Sequence, residues 1–493
     1  MDGMTFRALS LGWLCAALSL ASGFSCGPQL APDTFVCDPS ARPWMYPAPR
    51  GADVGAATAP VHSACLDATA LTSHDRLDAI ASVLLAESNV PLVANPAEGC
   101  DWKLRVTLQA PDATAELLGL WKGAEGIAER YAMKSIPTAA GAETTLHAAN
   151  ERAAVFALRG AIAATAADAD GTRMVGPATI VDWPAFATRG VIEGFYGTPF
   201  TRQDRVTMIE LLAAVRGNTY AYGPKNDPYS HALWREPYPA DQLDDLRAAA
   251  EAARASMIDF VWAVGPGLWT MDIPPGNSIS YASDADFAVL TSRFEELRGA
   301  GIGRFGLLLD DIYEDFAWDE DRARFPGLVD AHVFLANRVQ TWMAEKDPDA
   351  RLLFVGMRYA NSQDGWEDYA SALAQSLDPG IDVMWTGPDV VPSTITREDL
   401  EAARQKLGRK PVLWDNYPVQ VGPLAGRAPD LGLTVSGLLA NPVIGELGGT
   451  PLGEYWKVLG TVGDYTWLPE SYEPNASYER WRQVMCSVQP PGP

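Results

Sequence analysis

Leu307-Leu308-Leu309-Asp310-Asp311 sets three apolar residues directly against two acids. An apolar run of this kind, starting near Arg304, is the signature of a strand buried on both faces, as in a parallel sheet. Charge at the end of such a strand needs a partner or a purpose, because an unpaired carboxylate is costly to bury. Side chains alternate along a strand, so Asp310 should share a face with Leu308. Asp311 reaches the same side only if the strand stops there and the chain turns.

Seven more runs of the same character begin near Gly190, Asn218, Asp259, Leu352, Ile381, Pro411 and Leu433. Between them the helical period appears at 202–216, 240–256, 285–300, 330–346 and 397–407. Strands alternating with helices predict a parallel sheet, and eight repeats within about 250 residues predict a closed (β/α)8, or TIM, barrel. A doubly wound open sheet is the alternative. The barrel is expected over 186–468, followed by a tail at 469–493 that either packs on it or hangs free.

Before it, 50–185 reads as a small α/β domain, with a strand-like Lys103-Leu104-Arg105-Val106-Thr107-Leu108 and an alanine-rich helix within 149–167. Residues 26–49 are rich in Pro and Gly without a period and read as a linker. Residues 1–25 have the layout of a secretory signal peptide: Arg7, an apolar run from Ala8 to Leu20, then the small residues Ala21-Ser22-Gly23. The apolar run is too short to span a bilayer, and no other stretch reaches that length. Export is therefore expected, either by secretion or with a lipid anchor on Cys26.

With 38 basic and 62 acidic residues the formal charge is −24, which repels nucleic-acid phosphates and anionic membrane surfaces. The cysteines at 15, 26, 37, 65, 100 and 486 form no CxxC pair and have no histidine spacing suited to zinc. Neither a metal nor a cofactor is expected. Cleavage before Cys26 leaves five cysteines, whereas lipidation of Cys26 leaves four for disulfides, with the pairing open.

Function in a barrel sits at the C-terminal strand ends. Here those ends collect glycines, amides and aromatics: Glu193-Gly194-Phe195-Tyr196-Gly197, Tyr222-Gly223-Pro224-Lys225-Asn226-Asp227, Met357-Arg358-Tyr359, Trp385-Thr386-Gly387, Trp414-Asp415-Asn416-Tyr417 and Ala440-Asn441-Pro442. Two unlike carboxylates beside one substrate suit acid/base work on an acetal, and aromatic faces with amides suit a pyranose. The competing expectation is that the acids cap a helix or pair with an arginine such as Arg358, and that the aromatics are barrel packing.

The words from Arg189-Gly190-Val191-Ile192-Glu193-Gly194-Phe195-Tyr196-Gly197-Thr198-Pro199 through Tyr222–Tyr229, Asp310-Asp311, Met384-Trp385-Thr386-Gly387, Trp414–Val419 and Asn441-Pro442 resemble glycoside hydrolase family 84. These are β-N-acetylglucosaminidases, including O-GlcNAcases. The resemblance covers roughly 180–445, in order. It implies a retaining mechanism in which the sugar's own 2-acetamido group attacks the anomeric carbon. Asp310 would then orient that group, and Asp311 would act as acid and base. By the same match Gly194, Lys225, Asn416 and Asn441 hold sugar hydroxyls, while Tyr359, Thr386 and Trp414 shape the acetamido pocket. The implied partner is a glycan or glycoprotein bearing terminal GlcNAc. One departure stands out: where the family offers an aspartate after Val419, this chain has Gln420-Val421, with Asp430 the nearest acid that could substitute. The other expectation is a barrel that binds GlcNAc without turning it over.

Overall fold

The computed structural model describes residues 43–93, 99–267, 275–417, 422–444, 448–449 and 452–485. The leader, Cys26, the Gln420-Val421 departure and the last residues of the tail lie outside them.

Eight parallel strands close into a barrel: β1 (Thr188–Glu193), β2 (Thr219–Tyr222), β3 (Asp259–Val264), β4 (Arg304–Leu308), β5 (Leu352–Val355), β6 (Ile381–Trp385), β7 (Val412–Asp415) and β8 (Gly437–Ala440). Closure comes from β1 pairing with β8, Gly190 opposite Leu439. Around it lie α1 (Arg202–Ala214), α2 (Ala240–Ala255), α3 (Asp284–Gly299), α4 (Leu328–Lys346), α5 (Trp366–Ser376) and α6 (Arg397–Leu407). Thr201 with Asp204, and Thr396 with Asp399, form capping boxes that start α1 and α6.

Alternation sorts the strand residues into two cores. Ile192, Ala221, Ala263, Leu308, Val355, Met384 and Leu439 fill the barrel interior. Leu307 and Leu309 face the helices instead. Because Leu308 points inward, strand parity aims Asp310 into the same interior.

One expectation needs correction. The eighth run does not begin near Leu433: that residue lies in a 3-10 turn, Leu431–Leu433, and is 68% exposed, while the strand starts at Gly437. The β7–β8 link carries this turn where a full helix would complete the repeat, among the described residues. The apolar content of 431–433 imitated a strand because Leu431 is buried.

The N-terminal sheet has six strands in the order 51–54, 178–182, 131–138, 141–148, 102–107, 64–67, with the last three mutually parallel. Trp102, Leu104 and Val106 point inward while Lys103 and Arg105 face solvent. The helix expected within 149–167 runs Glu151–Ala163. Cys65 and Cys100 form a disulfide. This domain meets the barrel at the N-terminal strand ends: Glu129 takes hydrogen bonds from Arg152 Nη1 (2.9 Å), Asn218 Nδ2 (3.0 Å) and Arg189.

Residues 43–49 fall in the expected linker, yet Met45 is buried in the N-terminal core and Tyr46 donates to the Gly460 carbonyl at 2.7 Å. Of the tail, α8 (Pro474–Met485) packs its fully buried Trp481 on α7 (Leu452–Trp467). A Cβ on Gly460 would lie 2.2 Å from that indole, so the close approach requires glycine there.

Candidate active site

β4 ends at Leu308, and the chain turns within three residues: Asp311 adopts φ +49. A non-glycine residue with positive φ is uncommon and mildly strained, and here it swings the second acid out of strand alternation. Asp310 is buried, 6% exposed, and its Oδ2 accepts from Lys225 Nζ at 2.6 Å. Its Oδ1 is buried with no hydrogen-bond partner among the described residues. Burial holds the Asp310 carboxyl above the ordinary carboxylate value; the Lys225 ammonium opposes the rise and the neighbouring Asp311 adds to it.

Asp311 is half-buried and bridged by two phenols, accepting from Tyr196 at 2.6 Å on Oδ2 and from Tyr359 at 3.0 Å on Oδ1. Arg358 does not pair with either acid. It binds Glu314 at 2.8 Å, which removes the arginine alternative raised by the sequence. Burial, then Asp311, then Asp310 push the Tyr359 hydroxyl well above its ordinary value, so it remains a donor.

The remaining predicted residues join this pair through one network. Lys225 Nζ lies 5.7 Å from the Trp414 ring centre. Trp414 Nε1 donates to Asn416 Oδ1 (2.9 Å), which also accepts from Asn441 Nδ2 (2.9 Å), and Asn441 Oδ1 accepts from the Gly194 N–H (3.2 Å). Asn416 Nδ2 donates to the Val390 carbonyl, fixing the amide. Gly194 is required by packing: a Cβ would sit 2.4 Å from Trp414 Cζ2. Thr386 stands one step back. Its N–H binds the Tyr359 carbonyl at 2.9 Å and its hydroxyl the Asp389 carbonyl at 3.1 Å, so it anchors Tyr359.

Asp430 does not join the network; its Oδ2 accepts from Arg397 Nη1 at 2.8 Å, at the start of α6. Two positions went unassigned in the sequence. Tyr196 touches the second acid, and Asn226 holds the loop that carries it, accepting from the Gly197 N–H at 2.8 Å. The available signal was a phenol flanked by Gly194 and Gly197 at a strand end.

The other buried strand-end carboxylates are committed. Glu193 binds Arg205 (2.8 Å) and Tyr220 (2.7 Å), Asp227 binds Tyr222 (2.8 Å) and Tyr238, and Asp415 takes Arg427 through both oxygens (2.8 and 2.7 Å). Among these carboxylates the open valence is therefore on Asp310. A closed barrel with two adjacent acids, one strained and one half-satisfied, among indole, phenol and amide groups defines a carbohydrate-cleaving class of site.

Comparison with known proteins agrees. Residues 189–489 match the beta-N-acetylglucosaminidase family. The chain belongs to that family, glycoside hydrolase family 84. It is 30% identical over 288 residues to the protein O-GlcNAcase of Mus musculus, 55% of this chain and 30% of the mouse protein. The Rattus norvegicus protein is 30% identical over 265 residues, 51% of this chain and 28% of that one. The chain thus spans under a third of these curated relatives. Among solved structures, CpGH84B superposes with TM-score 0.71 at 24% identity, over 90% of this chain and 74% of that one, a likeness of fold. A mutant of the Thermobaculum terrenum O-GlcNAc hydrolase gives 0.55 at 30% identity, over 62% and 63%.

Proposed function

We propose that the chain hydrolyses terminal β-linked N-acetylglucosamine from glycans or glycoproteins, with retention and by participation of the substrate's own acetamido group. The observation that carries this reading is the buried, unpartnered Asp310 Oδ1. A 2-acetamido N–H would satisfy it, and the carboxylate would then steer the acetamido oxygen to the anomeric carbon. Two acids adjacent in sequence are poorly placed to flank a sugar ring from opposite faces, as a protein nucleophile and its acid must. With Glu193, Asp227 and Asp415 tied up, the substrate is the best source of the nucleophile.

Positive charge develops on the oxazoline-like intermediate, and a fixed carboxylate stabilises it. Lys225, 2.6 Å from Oδ2, opposes the rise that burial imposes on the Asp310 carboxyl. Asp311 protonates the glycosidic oxygen as the bond breaks, then takes a proton from the water that opens the intermediate. Trp414 and Tyr359 border the acetamido group, and Gly194, Asn416 and Asn441 present hydrogen-bonding groups to the ring.

The test is a chromogenic β-N-acetylglucosaminide. Release by wild type that falls in Asp311→Ala, most for poor leaving groups, together with strong inhibition by a thiazoline mimic of the oxazoline, supports the reading. Binding of the sugar without release under any condition would replace it with a glycan-binding role.

The reading extends to an exported protein, supported by the Cys65–Cys100 bridge, a bond that persists in oxidising compartments. Thiol labelling of the protein from its native cells checks this: a blocked pair is expected, and two free thiols would contradict it.

A further inference from the structure

We infer that Tyr196 is a positioning residue for the acid: it holds Oδ2 of the Asp311 carboxyl opposite Tyr359 on Oδ1 and stabilises the carboxylate that remains. The inference rests on the reading of Asp311 as the proton donor and deepens it.

The two oxygens of Asp311 are held from different sides. Tyr359 reaches Oδ1 from the segment after β5, where its ring packs against the interior core and its carbonyl is tied by Thr386. Tyr196 reaches Oδ2 from the loop after β1, at 2.6 Å. That loop is set by Gly197 at φ +103, whose N–H is held by Asn226. A carboxylate offers about two acceptor sites on each oxygen, so each phenol leaves a second site open on the oxygen it binds. With Oδ1 held by Tyr359 and Oδ2 by Tyr196, the carboxyl is fixed at both ends while each oxygen keeps a site for proton transfer.

The two contacts also stop the carboxyl plane from turning, which the positive φ of Asp311 would otherwise leave to the side chain alone. Both phenols are donors, and donors to a carboxylate gain strength as its negative charge grows. During cleavage the proton passes from Asp311 to the glycosidic oxygen, the electron pair of the carbon–oxygen bond goes to that oxygen, and an alcohol departs. Charge accumulates on Asp311 during that transfer. Tyr196 neither gains nor loses a proton, yet its contribution grows with the leaving group's need for one.

The test compares two substrate types in Tyr196→Phe, which keeps the ring and removes the hydroxyl. Alkyl β-N-acetylglucosaminides need the proton; dinitrophenyl ones leave without it. In Tyr196→Phe, kcat/KM for the alkyl glycoside is expected to fall about tenfold or more, while the dinitrophenyl glycoside changes less than about threefold. Asp311→Ala on the same pair is the reference. If Asp311→Ala shows the selective loss and Tyr196→Phe matches wild type on both, the inference is overturned and the acid assignment stands. An equal fall on both substrates in Tyr196→Phe also overturns it, assigning the tyrosine a structural role. If Asp311→Ala itself shows no selectivity, the acid assignment fails first and the inference goes with it.

Discussion

The barrel buries carboxylates at both ends, and they are treated in opposite ways. At the N-terminal end, Glu129 is surrounded by Arg189, Arg152 and Asn218, and Asp182 takes Tyr131 (3.0 Å), Arg216 (2.8 Å) and Trp467 (2.9 Å) on one oxygen alone. At the C-terminal end, Asp310 has one lysine and an empty oxygen. Burial works against ionisation at both, but the two arginines outweigh it at Glu129, which sits below its ordinary value, whereas Asp310 sits above. Burial alone therefore does not mark a site. Among these carboxylates it is the unpartnered oxygen of Asp310 that distinguishes the end that does chemistry from the saturated end that joins domains.

Breaking the saturated end should produce the largest effect, and on stability alone. Glu129→Ala leaves the buried Arg189 without its carboxylate and Arg152 with Asp259 alone (3.3 Å), and should cost about 3–5 kcal/mol, with kcat of the remaining folded protein unchanged. Since the Glu129 pKa is lowered by folding, wild type keeps this stabilisation above the ordinary Glu value of about 4.3 and loses it only as pH falls through the lowered one. Denaturant melts across that range check both points; a variant as stable as wild type would contradict the contrast.

Breaking the open end should act on rate. Asp310→Asn is expected to lower kcat by about 10²–10³-fold, roughly 2.7–4 kcal/mol of transition-state stabilisation, in a protein that melts near wild type. A kcat within a few-fold of wild type would remove Asp310 from the chemistry. Gly194→Ala comes next: its methyl collides with Trp414, and overpacking of about 1–3 kcal/mol should appear mainly as a raised KM. An unchanged KM would mean that the indole can move aside.

The smallest effect is a displacement of the pH profile. In the proposed mechanism the ionised form of Asp310 is the one required, and its pKa is raised, so the acid limb of kcat/KM should lie above the ordinary Asp value of about 3.9. Lys225 opposes that rise. In Lys225→Met the limb should therefore move further up, on top of a lower maximum; a limb that moves down would reverse the assigned role of the lysine.

Much of this was readable from residues alone. The apolar run before Asp310 gave its parity, and the structure places Leu308 and Asp310 on one face with Asp311 turned at positive φ. The strand ends at Lys225, Tyr359, Trp414, Asn416 and Asn441 converge because closure of the barrel brings them together. What escaped was set by tertiary contact. Nothing local separates Leu431–Leu433 from a strand, since only packing shows that Leu433 faces water. Tyr46 and Trp481 lie in stretches of irregular or polar composition, and their burial depends on α7 being nearby. Tyr196 was visible in the motif, but its role depends on where Asp311 turns.

The central claim, that the substrate's acetamido oxygen is the nucleophile steered by Asp310, is tested most directly by the N-acyl group. Aryl β-glucosaminides whose 2-acetamido group carries no, one, two or three fluorines differ mainly in the nucleophilicity of that oxygen. Progressive loss of kcat/KM with each fluorine in the wild-type protein is the predicted result. Turnover that stays level across the series would contradict the account and return the search to a nucleophile on the protein.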